Sequence, residues 1–549
     1  MSGTGSAARS LVVFSLAFVL TALPVFSTVL PPILDYPNHL ARMHILAEAG
    51  ASATLDQFYT VRWAALPNLA MDLIVPPLNA VLPLDAAGKV FLLLIFALMA
   101  GGAVWLHRVV HGRWSLWPLL VFLLIYNRIL LWGFLNYLFG LGLALCALAL
   151  WLAERERPAW RRILLSSVLA LAIYFSHISA FGIYAVLLAG IEATAALALL
   201  RRRAELPESL STPVIASVAK QSSAAAPKAG LLRYARNDAL ISARFLRARQ
   251  WRQLAVETAV AAVQFLAPAV LVLGSWQHSA EGTFAFANYW RKADLLFSVF
   301  DNYNRSFDIV CFALFVLLLL VLALRRRLML APVMRLPLAF LVLAYLVMPS
   351  QLLSGSGADH RMPVAIFLVL LAGTVPRWPR SGIANAIAVG LALLFAARLA
   401  VVERVWAASD APYREDIALL DTLPTGAKLA IAWPGSAIQV TAAPELHLPT
   451  LAIIRRDAFV PTLFAYPAQQ PVALTPDYAA LADAVGQQAL WDAAVTGRSR
   501  LPPALKAYDY VVLIDRTPFL TRATDCLTPV NPGSTFHLLA VNRDCAELQ

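Results

Sequence analysis

The sequence predicts an all-α polytopic membrane protein of about eleven transmembrane helices, followed by a small C-terminal α/β domain. Of its 549 residues, 60% are hydrophobic and 14% are charged, and a water-soluble fold of this size could not bury so much apolar surface. Apolar stretches of roughly 18 or more residues recur, which is the length that crosses about 30 Å of hydrocarbon. Arginine clusters adjoin these stretches, so the net charge of +12 indicates membrane orientation and not nucleic-acid binding.

The predicted spans lie within a transmembrane domain at 1–402. The first, 11–31, is interpreted as a retained helix and not as a signal peptide, because it is long and lacks a clear cleavage site. The other predicted spans are 89–106, 116–126, 129–152, 163–175, 178–200, 254–276, 309–324, 330–348, 363–376 and 383–402.

The distribution of positive charge predicts a cytoplasmic N-terminus and a periplasmic C-terminus in a bacterial inner membrane. Connections assigned to the inside carry dense arginine clusters, and those assigned to the outside carry scattered cations. The inside cations include Arg108, Arg113, Arg155, Arg157, Arg161, Arg162, Arg201, Arg202, Arg203, Arg325, Arg326, Arg327, Arg335, Arg377 and Arg380, and the outside ones are Arg42, Arg62, Arg128, Arg291, Lys292, Arg305 and Arg361.

Two connections are long. The first outer loop, 33–85, contains an apolar stretch at 69–84 that is broken by Pro76 and Pro77, so it predicts a helix lying at the interface. The inner loop 201–252 holds a segment, 211–238, whose Ala- and Ser-rich composition resembles a translated repeat element. We interpret that segment as an insertion without function, since loop closure costs grow slowly with length.

The tail, 403–549, has the character of a small α/β domain. A helical spacing covers 413–423, and 428–433, 508–515 and 536–541 have the pattern of strands separated by Pro and Gly. Cys526 and Cys545 would form a disulfide bond if the tail lies in an oxidising compartment. The tail contains no phosphate loop or nucleophile motif, so we expect no chemistry of its own.

The densest group of polar residues follows the first span, in the segment from Asp35 to His44 (DYPNHLARMH). Ionisable residues at the membrane edge are candidates for function. If a helix begins at Pro37, Asp35 and His39 lie about one turn apart, and partial desolvation would suit Asp35 as a general base. Two alternatives stay open: Asp35 caps the helix, or Asp35, His39 and His44 bind a divalent metal ion.

The sequence resembles the GT-C class of membrane glycosyltransferases throughout its length. The shared features are an acidic residue just after the first span, a long first outer loop, cations in later outer loops and a C-terminal periplasmic domain. The likeness is greatest to bacterial members that use polyprenyl-phosphate sugars, the relatives of dolichyl-phosphate-mannose and aminoarabinose transferases. The position of the class's catalytic acid is that of Asp35. Many members of the class carry a second acidic residue later in the first outer loop, and Glu48, Asp56 and Asp72 are the candidates for it here.

This resemblance implies transfer of a sugar from a polyprenyl-phosphate donor to a glycan, lipid or protein acceptor on the periplasmic side. Asp35 would remove the proton from the acceptor hydroxyl, and cations would bind the departing phosphate. The candidate substrate-binding residues are His39, Arg42, His177, Arg291, Lys292, Arg305, His360 and Arg361. Arg361 is the leading candidate because arginine binds phosphate with two parallel hydrogen bonds.

The same residues can also have purely structural roles. Each arginine can be a cation that extends to the interface, and His177 can hydrogen-bond between helices. The alternative function is a transporter or flippase of a lipid-linked or small polar substrate. The absence of an internal repeat and the position of the polar residues at the outer ends of the spans favour the enzyme.

Overall fold

The protein is described by a computed structural model that covers residues 3–204, 251–276, 283–286, 288–353, 355–434, 444–467, 469–496, 500–514, 526–545 and 548. The insertion predicted at 211–238 lies outside these residues. The chain is mostly helical. The helices are α1 Gly3–Phe26, α2 Tyr36–Glu48, α3 Leu55–Phe58, α4 Ala70–Asn79, α5 Leu84–His111, α6 Arg128–Trp132, α7 Leu135–Ala153, α8 Ala159–Ser176, α9 Ile178–Ala204, α10 Trp251–Val263, α11 Leu266–Trp276, α12 Arg291–Phe297, α13 Arg305–Leu324, α14 Arg335–Val347, α15 Met362–Gly373, α16 Ser381–Leu420, α17 Leu451–Arg456, α18 Pro476–Ala484 and α19 Gln487–Trp491.

Short strands occur in both the helical body and the tail. They are β1 Tyr59–Val61, β2 Thr283–Ala285, β3 Leu328–Leu330, β4 Gln351–Leu353, β5 Gly355–Ser356, β6 Thr374–Pro376, β7 Leu429–Ala432, β8 Val472–Leu474, β9 Tyr510–Leu513, β10 Leu527–Pro532 and β11 His537–Val541. A 3₁₀ helix, Trp117–Leu124, precedes α6.

The long apolar helices make the chain a multi-pass membrane protein. Among the described residues, seven helices are long and apolar enough to cross a membrane, and an eighth crossing results if the α10–α11 pair, bent by 48°, acts as one span. The predicted count of eleven is not confirmed, because three of the predicted spans form short helices. These are the 3₁₀ helix of 8 residues, α14 of 13 residues and α15 of 12 residues. At 1.5 Å per residue even α14 extends only about 20 Å.

The tail contains a four-stranded sheet with the strand order β10-β11-β9-β7, in which β7 and β9 are parallel and the other pairs antiparallel. The strands predicted at 428–433, 508–515 and 536–541 are confirmed as β7, β9 and β11. Cys526 and Cys545 are joined by a disulfide bond, with their Cα atoms 5.1 Å apart.

The predicted domain boundary after residue 402 falls inside a helix. Helix α16 runs for 40 residues, from the apolar segment through Pro412 into the tail. The composition becomes polar near residue 403, but the helix continues through this change. The tail is therefore attached to the body by a continuous helix.

The first loop and the tail form one packed unit. Strand β1 of the loop pairs antiparallel with β8 of the tail, with Tyr59 opposite Leu474 and Val61 opposite Val472. Helix α2 packs against α17, and the Tyr59 hydroxyl donates to the Ala458 carbonyl at 3.2 Å. This contact places loop residues next to a segment about four hundred positions later in the chain.

Candidate functional site

Asp35 lies near the start of the first outer loop and immediately precedes α2. The helix begins at Tyr36, with Pro37 in its first turn, and the Asp35 carboxylate makes no capping hydrogen bond. The interpretation of Asp35 as a helix cap is therefore wrong, although the helix does begin where the proline predicted. The carboxylate is 14% exposed, and its Oδ1 lies 3.5 Å from Nε2 of His447.

His447 comes from the tail, where the sequence led us to expect no chemistry. Asn38 of α2 holds this histidine: its Nδ2 lies 3.3 Å from His447 Nδ1 and donates to the Thr462 carbonyl at 2.8 Å. The Asn38 Oδ1 accepts from the Phe464 amide at 2.8 Å, which fixes the amide orientation. Because the Asn38 NH₂ group can only donate, Nδ1 of a neutral His447 accepts and its Nε2–H points towards Asp35.

Burial makes both members of this pair electrically neutral near pH 7. Desolvation raises the pKa of Asp35 to about 8, although the charge of Arg42 opposes the shift. Desolvation lowers the pKa of His447 to about 4. The contact is therefore one between a carboxylic acid and a neutral imidazole, and not an ion pair. An acid with this pKa is suited to exchange a proton near neutral pH.

Asp35 packs against a turn formed by Trp132, Gly133 and Phe134, which we call the Gly133 turn. Gly133 has a φ of +95°, and a Cβ atom at this position would lie 2.6 Å from the Asp35 Cβ atom. His39 Nε2 lies 3.0 Å from the Gly133 carbonyl oxygen, and burial lowers the pKa of His39 to about 3. His39 is therefore neutral, and its Nε2–H donates to the Gly133 carbonyl oxygen. Only glycine at position 133 allows the backbone of this turn to approach Asp35 so closely.

The other flank of the Gly133 turn contacts His360 and Arg361. The His360 and Trp132 rings lie 5.1 Å apart, and the Arg361 guanidinium carbon lies 4.4 Å above the Phe134 ring. Asp35 and Arg361 therefore contact consecutive residues of the same turn. Arg361 Nε is buried and has no hydrogen-bond partner among the described residues, so this cation retains a donor for an anion.

The cations of the outer loops differ in their pairing. Lys292 Nζ lies 3.6 Å from Asp359 Oδ2 and also donates to the carbonyls of Tyr345 and Met348. Arg305 forms an exposed pair with Asp294 at 3.1 Å. Arg291 is exposed, and its charge contributes to the low pKa of His360, which burial lowers to about 4. Within the described ranges, no carboxylate lies within 4.0 Å of Arg361.

Arg128 also belongs to this group of cations. Its Nε donates to Asp301 Oδ2 at 2.6 Å, and its guanidinium carbon lies 5.9 Å from the centre of the Trp132 ring. The sequence had identified Arg128 only as one of the scattered cations of the outer connections. The structure places Arg128 beside the same turn that Asp35 and Arg361 contact.

His177 packs behind Arg361, at the break between α8 and α9. Its ring lies 5.7 Å from that of Tyr137, whose hydroxyl donates to the Arg361 carbonyl at 2.6 Å. His177 Nδ1 accepts from the Ser179 amide at 3.0 Å. Burial and the nearby Arg361 charge lower the pKa of His177. These contacts give His177 a role in supporting Tyr137 and the Arg361 backbone.

Two other residues of the first loop lie outside this site. Arg42 forms two hydrogen bonds to Asp72, at 2.8 Å and 3.0 Å, and both side chains are fully buried. His44 lies 3.5 Å from Asp457 of the tail. Asp35, His39 and His44 therefore do not converge, and the part of the chain that the structure describes contains no group of His, Cys, Asp or Glu side chains arranged to hold a metal ion.

No family model matches the chain, and neither a curated protein nor a solved structure matches it. The function must therefore be inferred from the site, since a helical membrane fold by itself hosts many functions.

Proposed function

We propose that the chain is a GT-C-type membrane glycosyltransferase that moves a sugar from a polyprenyl-phosphate donor to an acceptor. The observation that carries this proposal is the placement of a shielded acid and a buried arginine on two flanks of the Gly133 turn. Asp35 has a pKa of about 8, and Arg361 has an unpaired buried Nε. Proton removal and stabilisation of a departing phosphate need these two groups close together.

In the proposed reaction, the Asp35 carboxylate takes the proton from an acceptor hydroxyl as its oxygen attacks the anomeric carbon. The bond between that carbon and the phosphate oxygen breaks, and the electron pair leaves with the polyprenyl phosphate. Arg361 binds the developing negative charge with its guanidinium N–H groups. Lys292 and Arg128 extend the positive field beyond Arg361, while His447 keeps water away from Asp35.

We assign this reaction to the periplasmic face of a bacterial inner membrane. The helix ends that carry the arginine clusters are the ends opposite those near Asp35, and the positive-inside rule assigns such clusters to the cytoplasmic face. The disulfide bond between Cys526 and Cys545 suits an oxidising compartment. The first loop and the tail pair through β1 and β8, so both lie on the same face as Asp35.

The test uses the purified full chain in lipid nanodiscs with radiolabelled polyprenyl-phosphate hexoses and pentoses. We expect transfer by the parent protein and a loss of about a hundredfold or more in Asp35→Asn, the typical contribution of a general base. Asp56→Asn is the matched control, because Asp56 is an exposed acid in the same loop.

A second arm examines Arg361. Arg361→Lys keeps the charge but loses the two-pronged donor geometry, and Arg361→Gln loses both, so we expect the transfer rate to fall in that order. Equal transfer by the parent and Asp35→Asn would remove Asp35 from the reaction. No transfer with any lipid-linked sugar, together with saturable uptake of one of them into proteoliposomes, would instead establish the transporter.

A further inference from the structure

A groove lies at the end of the fold that carries Arg9, Arg113, Arg377 and Arg380, and none of the residues of the proposed active site lines it. It runs between α1, the 3₁₀ helix Trp117–Leu124 and α16, and has a volume of about 510 Å³. Its floor is apolar and includes Phe122, Leu391 and Phe395. Clefts that bind small ligands have volumes of about 300–1,000 Å³, so a groove of this size can hold a ligand.

The mouth of the groove is positively charged. Arg9 and Arg113 line it, both are exposed, and neither has a carboxylate within 4.0 Å among the described residues. The lining includes no Asp or Glu side chain. Trp114 and Trp378 lie beside the two arginines, half-buried, which is the position tryptophan favours at the boundary between hydrocarbon and water.

The groove can be reached from the bilayer. On α1, Leu11, Val12 and Leu16 are 52%, 68% and 58% exposed, as expected of a helix whose outer face contacts lipid tails. On α16, the neighbouring Val389 and Leu393 are 60% and 65% exposed. A ligand that enters from the side therefore meets apolar surface along the groove and two unpaired cations at its end.

We infer that this groove is a binding site for an anionic phospholipid. The phosphate of the head group sits between Arg9 and Arg113, and one acyl chain lies along Phe122 and Phe395. The positive-inside rule alone explains two cations at this end of the helices, but it does not explain an apolar groove that ends between them. A zwitterionic lipid would fit the apolar part and leave the two arginines without a net countercharge.

Native mass spectrometry of the purified full chain, with phosphatidylglycerol or phosphatidylcholine as the probe, tests this inference. We expect the parent to retain phosphatidylglycerol preferentially and Arg9→Gln/Arg113→Gln to retain it about tenfold less. Arg325→Gln/Arg326→Gln is the matched control, because these exposed arginines lie outside the groove. An equal loss in both pairs would show general surface attraction and overturn the site.

A second variant keeps both arginines and fills the groove. Ala388 lines it and is exposed, so Ala388→Trp should occupy acyl-chain space without overpacking the core. We expect it to lower phosphatidylglycerol retention with an unchanged thermal unfolding midpoint. Retention equal to that of the parent would overturn the groove as the binding place. Displacement of phosphatidylglycerol by an equimolar amount of polyprenyl phosphate would overturn the phospholipid as its occupant.

Discussion

Asp35 illustrates how burial changes the chemistry of a single carboxyl group. Its pKa of about 8 lies far above the ordinary value of 3.8, because desolvation outweighs the opposing charge of Arg42. At pH 7 most molecules therefore carry a protonated Asp35, which cannot accept a proton from an acceptor hydroxyl. The active fraction increases as pH rises towards 8.

The first prediction follows from this protonation equilibrium. At subsaturating donor, we expect the transfer rate of the parent protein to rise about tenfold per pH unit below pH 8 and to level off above it. The measurement is the initial rate between pH 5.5 and 9.5, with folding monitored at each pH. A rate that is flat between pH 6 and 9 would exclude Asp35 as the titrating base.

His447 gives a second prediction at the same scale. Its ring covers Asp35, so His447→Ala should admit water and lower the pKa of Asp35 towards 3.8. The rising limb of the rate profile should then move to lower pH. His447→Gln keeps an N–H donor and much of the volume, so its profile should stay close to that of the parent. A purely structural histidine would instead lower the rate equally at every pH in both variants.

Neither His447 nor the Gly133 turn could be identified as part of the site from the sequence. His447 has no motif around it, and its link to Asn38 joins residues 409 positions apart. Gly133 is an ordinary glycine in an apolar stretch until its positive φ and the approach of Asp35 are known. Asp35 and Arg361 were recognisable because ionisable residues beside apolar spans stand out locally.

Among the elements, α2 is fixed to the body by a buried ion pair. Arg42 of α2 and Asp72 of α4 are fully buried and joined by two hydrogen bonds. We therefore infer that Arg42, predicted to bind substrate, positions α2 and with it Asp35. Removing either partner would leave an uncompensated charge in a fully buried site.

The third prediction concerns this ion pair. We expect Arg42→Ala or Asp72→Ala to destabilise the protein by about 3–5 kcal/mol, and Arg42→Met/Asp72→Leu to recover much of that loss because no lone charge remains. Arg305→Ala is the control, since the pair of Arg305 and Asp294 is more than half exposed and should contribute at most about 1 kcal/mol. Thermal unfolding in nanodiscs compares the variants. A double variant no more stable than either single variant would contradict this explanation.

Most elements of the helical body could be predicted because apolar length and periodicity are local properties. The predicted spans at 89–106, 163–175 and 309–324 correspond to α5, α8 and α13. At 116–126 and 363–376 the chain forms short, largely buried helices, so the crossings predicted there are not confirmed. Apolar residues are needed equally by a buried helix and by a lipid-facing one, so hydropathy does not separate these two cases.

On the scale of the whole molecule, the pairing of β1 with β8 constrains the number of membrane crossings. The first loop follows one span, and the tail follows the last. If both lie on the same face, the number of spans between them is even and the total is odd. For the part of the chain that the structure describes, an odd total means either that the bent α10–α11 pair does not cross or that a shorter helix crosses as well. No sequence pattern predicts this pairing, because β1 and β8 have only 3 residues each.

The last prediction tests this arrangement with a pair of cysteines. Thr60 and Ala473 are opposite each other in the β1–β8 pair, so Thr60→Cys/Ala473→Cys should form a disulfide bond under mild oxidation. A protease site placed in the 211–238 insertion allows the chain to be cut between them. The native disulfide bond joins Cys526 to Cys545, so it cannot hold the two fragments together. The fragments should migrate as one band without reductant and separate with it.

Thr60→Cys/Arg325→Cys is the control for this experiment. Arg325 lies at the end of α13 that the positive-inside rule assigns to the cytoplasm, so this pair should not cross-link. Fragments that separate in both variants would place the loop and the tail apart, and Asp35 would then lose the shielding by His447 on which its high pKa depends. A cross-link confined to Thr60 and Ala473 requires the two segments to share a compartment, because a disulfide bond forms only between Cα atoms about 4.4–6.8 Å apart.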